Sequence, residues 1–186
     1  MRIPLVVFTP KSLLRHPDVK SGVEEFTGGE FREVLDDNNM DKAKVRKVIL
    51  TSGKVYYDLL KYRTDNNIKD VALLRLEQYY PLPEKEIKDA VNSYGKAKAV
   101  AWVQEEPENM GAWYFLKLRF GDRLLNRFPF AGVHRPPSAS PATGSGSSHK
   151  LEQKYVIEKA FGDGNGSAES SPEAIAEAVE RVAAAL

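Results

Sequence analysis

Apolar positions fall along this chain in short continuous runs separated by segments of helical spacing. Lys47-Val48-Ile49-Leu50-Thr51, Val71 to Leu76 and Ala99 to Val103 are runs of strand length, and Ala131-Gly132-Val133 is a shorter one. Leu5 to Phe8 is a further β-branched and aromatic run, ended by Thr9-Pro10, and predicts a buried strand. Between the runs, Val55, Tyr56, Leu59, Leu60 and Tyr62 recur at helical spacing up to Asn66-Asn67. Pro83 opens a second helix carrying Ile87, Ala90, Val91 and Tyr94, which Gly95 closes. Gly111 to Phe120 predicts a third, and His149 to Phe161 a fourth. Strand and helix in alternation is the mark of a parallel sheet covered on both faces, and unbroken apolar strands fit that burial. The expected fold is α/β, a three-layer sandwich around a mostly parallel sheet.

The rest is less regular. Lys11 to Arg15 allows one helical turn before Pro17, and residues 18–44 alternate helical scraps (Val23 to Phe26, Phe31 to Leu35) with Gly28-Gly29 and a polar stretch, Asp36 to Asp41. Residues 136–148 form a Pro/Ser/Gly loop. Residues 163–171 read as a flexible linker, and residues 172–186 as an alanine-rich helix with Ile175, Val179, Val182 and Leu186 on one side.

Composition narrows the function. The 186 residues are 42% hydrophobic and 28% charged, with a formal net charge of +1, a soluble globular balance without the field that gathers nucleic acid or anionic lipid. There is no cysteine, which removes disulfides and thiolate chemistry and suits a reducing compartment. No apolar run reaches bilayer length, and Met1-Arg2-Ile3-Pro4 enters a strand-like run without a leader. The expectation is a soluble, intracellular domain.

Candidate chemistry is thin. Glu105-Glu106-Pro107-Glu108 follows a strand, where α/β proteins place functional groups, but adjacent residues at a strand end point apart. Gly144-Ser145-Gly146-Ser147-Ser148 could offer backbone N–H groups to a phosphate, yet lacks the Lys-Ser/Thr ending of a P-loop. His16, His134 and His149 are far apart in sequence, and no Gly-x-Ser-x-Gly elbow serves Ser138 or Ser140. Gly162-Asp163-Gly164-Asn165 has the Gly-Asp-Gly opening of a thiamine diphosphate motif, but Asn165 is the last Asn in the chain, so it reads as linker. No catalytic, cofactor or metal residue is assigned.

Five segments, taken together, carry a resemblance. They are Phe8-Thr9-Pro10-Lys11-Ser12-Leu13-Leu14-Arg15-His16-Pro17, Thr51-Ser52-Gly53-Lys54-Val55-Tyr56-Tyr57-Asp58-Leu59, Arg75-Leu76-Glu77-Gln78-Tyr79-Tyr80-Pro81, Gln104-Glu105-Glu106-Pro107-Glu108-Asn109-Met110-Gly111-Ala112-Trp113, and Arg135-Pro136-Pro137-Ser138-Ala139-Ser140-Pro141-Ala142-Thr143-Gly144. In this order they resemble the C-terminal region of the decarboxylating, thiamine diphosphate-dependent component of 2-oxoglutarate dehydrogenase, from about Met1 to Gly162. The resemblance implies a transketolase C-terminal-like domain over residues 1–162. It also implies a parent subunit that decarboxylates 2-oxoglutarate with thiamine diphosphate and magnesium held outside this chain. That subunit would be a homodimer passing succinyl groups to a lipoyl succinyltransferase, in the bacterial cytoplasm or the mitochondrial matrix. By itself the chain would be structural and inactive.

The resemblance places domain contacts at Glu105, Glu106, Asn109, Trp113, Arg135, Ser138, Ser140 and His149, so that substituting Trp113 should barely change the isolated domain. It also implies a remnant regulatory acetyl-CoA site, with Glu30, Glu33, Gln78, Lys85 and Glu86 at the matching positions; only Gln78 and Lys85 suit an anion. Two other readings stay open: a stand-alone regulatory or assembly module that binds a partner protein, and a nucleotide-binding domain using residues 144–148.

Overall fold

The computed structural model describes residues 3, 4 and 6–162 and divides the chain into two compact units, Met1–Arg32 and Glu33–Leu186. The expected linker at 163–171, the alanine-rich helix at 172–186 and the Asp163–Asn165 motif lie outside the described residues.

The first unit carries a 3-10 turn at Lys11–Leu13 and a short helix, α1, at Val23–Thr27, neither with a buried residue. The strand expected at Leu5 to Phe8 is absent from its described residues: 6–8 have no regular structure, and Phe8 is 95% exposed. The physical reason is hydrogen bonding. A strand needs a neighbour for its N–H and C=O groups, and the described residues of this unit include no second strand.

The second unit is the α/β layer structure. Its sheet runs β1-β3-β2-β4-β6-β5, from β1 (Val34–Leu35), β2 (Lys47–Thr51), β3 (Val71–Leu76), β4 (Ala99–Pro107), β5 (Arg123–Leu124) and β6 (Phe128–Arg135). The four inner strands are parallel, while β1 and β5 join antiparallel at the edges. Helices α2 (Val55–Asp65), α3 (Glu84–Asn92), α4 (Trp113–Phe120) and α5 (Gly146–Phe161) complete the unit. No helix among the described residues is long and apolar enough to cross a membrane.

Alternation along the strands sorts side chains into two cores. Val48, Leu50, Val100 and Trp102 face α3 and α4, where they meet Ile87, Val91, Trp113 and Leu116. Ile49, Ala101 and Val103 face the other way, onto Val55 and Leu59 of α2 and Tyr155 and Val156 of α5. Both faces are covered, which is why β2, β3 and most of β4 read as unbroken apolar runs. β6 alternates instead. Its Pro129 and Ala131 are exposed and line a cavity of about 880 Å³ at the sheet's N-terminal edge, beside the end of α5 at Phe161.

Three elements depart from the pattern reading. Phe31 to Leu35, read as a helical scrap, instead supplies β1, which pairs Val34 with Leu76 across a long sequence gap. The β5–β6 connection places Leu125 and Asn126 in the left-handed region, a turn conformation that leucine does not advertise. α5 begins three residues before His149, because Ser145 serves as its N-cap and accepts from the Ser148 N–H at 3.5 Å.

Candidate functional site

The connections fix where a site can form. β2 has β3 on one side and β4 on the other, and the chain reaches them through α2 and α3 on opposite faces. The carboxyl ends of β2 and β4 are therefore a switch point, where open α/β sheets leave a crevice. The crevice is present as a cleft of about 340 Å³, lined by Ser52, Gly53, Tyr79, Trp102, Gln104, Glu106, Gly111, Ala112 and Phe115.

Gln104 forms its floor and is fully engaged. Its Oε1 accepts from the Trp102 indole at 2.8 Å and from the Trp113 backbone N–H at 2.9 Å. Its Nε2 donates to the carbonyls of Pro107 at 3.0 Å and Met110 at 2.7 Å. Gly111 sits against it with φ +66°, and a Cβ there would stand 2.9 Å from Gln104 Oε1. Only glycine fits this turn without displacement.

Glu105 and Glu106 part company as strand geometry requires. Glu105 turns to the α2 face and pairs with Lys54 at 2.6 Å, whereas Glu106 lines the cleft and has no ion-pair partner among the described residues. The Tyr79 hydroxyl is held above its usual pKa by burial, opposed by a hydrogen bond with Ser52 and reinforced by the charges of Glu106 and Glu77.

A second polar group lies at the same edge, on the other face. Arg135, 5% exposed, donates from Nη2 to His149 Nδ1 at 3.1 Å and to Gln153 at 2.9 Å, with Glu152 at 3.4 Å from Nη1. Its Nε alone is buried without a partner. Arginine only donates, so His149 Nδ1 accepts. Gln153 passes the chain on to Asp58 at 2.8 Å. Asn109 clamps the following loop at two points, donating to Ser138 O at 2.9 Å and accepting from its N–H at 3.0 Å. The Ser138 hydroxyl in turn accepts from Ser140 N at 3.1 Å, so these two serines shape the loop rather than face a histidine nucleophile partner.

Of the residues read from the sequence, the structure brings Arg135 and His149 together, and Asn109 with Ser138 and Ser140. Trp113 is 6% exposed and packs on Phe130 and His134 with ring centroids 5.6 and 5.9 Å away, so it belongs to the core of this unit. Gln78 and Lys85 are not joined: Gln78 donates to Pro81 O at 2.8 Å, and Lys85 pairs along α3 with Asp89 at 2.7 Å. Glu33 meets Gln78 through its backbone carbonyl, while Glu30 lies in the first unit. In the 144–148 loop, the Ser145 hydroxyl is spent on capping α5. Ser52 and Tyr79 stand in two of the segments that carry the resemblance and Phe115 in the expected third helix, but nothing local marked them as neighbours; the strand order brings them together.

Residues 20–161 match the family described as 2-oxoglutarate dehydrogenase C-terminal. The chain belongs to this family. It is similar to the 2-oxoglutarate dehydrogenase E1 components of Haemophilus influenzae, at 44% identity over 162 residues, and Cupriavidus necator, at 40% over 161. A third such relative, from Staphylococcus epidermidis, is 41% identical over 158 residues. These alignments take in 87%, 86% and 85% of this chain, and the chain spans about 17% of the length of each relative. Four of the five sequence segments, from Thr51 to Gly144, fall within the matched residues and agree with the family match.

Proposed function

We propose that this chain serves as the C-terminal domain of a 2-oxoglutarate dehydrogenase decarboxylating subunit and holds the architecture around a catalytic centre that other parts of that subunit supply. The observation that carries the reading is the family match over residues 20–161, on relatives named as E1 components. In the parent reaction, thiamine diphosphate with magnesium would supply the carbanion chemistry of decarboxylation. Among the described residues no three His, Cys, Asp or Glu side chains converge as metal ligands.

The role left to this domain is packing. Tyr80 and Leu118 are 88% and 90% exposed, and Tyr114 and Phe115 share the outward side of α4 with Leu118. Large apolar side chains grouped on a surface mark a place where another domain docks. The partners of this reading are the remaining domains of the subunit, a second subunit in a homodimer, and the lipoyl succinyltransferase that receives the succinyl group. The bacterial relatives favour a cytoplasmic location.

Grafting tests it. The segment of the Haemophilus influenzae protein that aligns with this chain is replaced by residues 1–162, and 2-oxoglutarate decarboxylation is measured. The expected result is a folded chimera that turns over substrate and loses that turnover when the segment is deleted. A folded chimera without turnover would refute the assignment.

A further inference from the structure

We propose that the cleft at the ends of β2 and β4 is a binding site for a guanidinium group, with Glu106 as its counter-charge and Tyr79 and Phe115 as its walls. This goes beyond the domain assignment and needs no catalytic centre.

The polar groups of the cleft decide its chemistry. Every hydrogen-bonding atom of the Gln104 side chain is engaged within the fold. The Ser52 and Tyr79 hydroxyls bond to each other, and the one charged group left for a ligand is the Glu106 carboxylate, which has no ion-pair partner among the described residues, unlike its neighbour Glu105 on Lys54. The walls open to a ligand are aromatic, Tyr79 at 39% and Phe115 at 43% exposure, while Trp102, 1% exposed, backs Tyr79 edge-on at a centroid distance of 6.1 Å. A carboxylate beside aromatic surface attracts a cation, through both the ion pair and the ring quadrupoles.

The competing reading is an anion held by helix N-termini, since α2 and α4 both begin at this edge. Magnitudes decide against it. Each helix end contributes about half a positive charge. Asp58, Glu77, Glu105, Glu106, Glu108 and Glu152 stand at this edge against Lys54, Arg75 and Arg135, so the edge stays negative after the helix ends, that of α5 included, are added. The first N–H of α4 is moreover already bonded to Gln104. Among organic cations, guanidinium is planar and weakly hydrated, stacks on rings and engages a carboxylate through two N–H groups, whereas an ammonium keeps its water. A cleft of about 340 Å³ admits such a group with a few flanking carbons.

The test uses the full chain and follows the backbone amides of Ser52, Gly53 and Gly111 by NMR while N-acetyl-arginine methylamide is added. N-acetyl-citrulline methylamide, the neutral isostere, is the control, and methylguanidinium forms a third arm. Saturable shifts confined to the cleft, silent with citrulline and weakened about tenfold or more in E106Q, are the expected result. Methylguanidinium binding as well as the arginine compound would identify a free small cation as the ligand. Weaker binding would identify an arginine side chain of another polypeptide. Equal shifts with citrulline, unchanged binding by E106Q, or no saturable shift would each overturn the proposal. Glu106 is exposed, so the variant keeps the fold, which its own spectrum verifies.

Discussion

Gln104 and Trp113 meet through one hydrogen bond of 2.9 Å, from the first N–H of α4 to a side chain rising from β4. The same amide oxygen holds the Trp102 indole, and the amide nitrogen holds Pro107 and Met110. One residue thereby fixes the end of a central strand, the turn after it and the helix that follows. Gln104→Ala would leave two buried donors and a carbonyl without partners, at a cost of about 2–4 kcal/mol. Urea unfolding of the variant measures it, and a change within error would show that the network relaxes freely.

Trp113→Ala empties the space between α4 and β6. With the ring 6% exposed, the expected loss is about 3–5 kcal/mol, against the sequence-based expectation that the isolated domain would hardly notice. Gly132→Ala should be harmful from the other side of the contact, because its Cβ would fall 2.6 Å from the Trp113 ring. Thermal melts of both variants of the isolated chain check the pair.

Much of the fold was legible because its signals are local. β3 needed only its own apolar run, and α3 only the spacing of Ile87 and Val91 and the proline before it. Leu5 to Phe8 carried an equal signal, yet its described residues 6–8 form no strand, since a strand depends on a partner that spacing does not reveal. The site was legible in part for the same reason. That Glu105 and Glu106 point apart follows from the pleat, but Tyr79 beside Trp102 depends on the order β3-β2-β4, which no local pattern states. The burial of Trp113 escaped because its partners, Phe130 and Gly132, come from a strand whose apolar run is broken by Pro129 and Gly132.

Arg63 and Asp37 form a buried ion pair that ties α2 to the irregular segment before β2. Asp37 also accepts the Leu73 N–H at 2.9 Å, and Arg63 donates to Val71 O at 3.2 Å. Arg63→Ala strands a buried carboxylate and is expected to cost about 3–5 kcal/mol. The double variant Arg63→Met with Asp37→Leu should recover part of that loss. A double-mutant cycle by chemical denaturation reads the coupling.

His134 gives the domain a pH dependence. Burial, the largest effect, holds its pKa below the ordinary 6.5, so the folded state keeps it neutral where the unfolded chain takes up a proton. The unfolded state binds more protons below that value, so stability is full above it and declines as pH falls toward the folded pKa. His134→Gln should flatten this part of the stability curve, measured by urea midpoints between about pH 7 and 5.

The central claim is that this chain is a non-catalytic domain of a decarboxylating subunit. The direct measurement is release of carbon dioxide from 2-oxoglutarate with thiamine diphosphate and magnesium, by the chain alone and after mixing with the rest of the subunit. The account predicts no release from the chain alone and release once the other domains are present. Turnover by the 186 residues alone would contradict it.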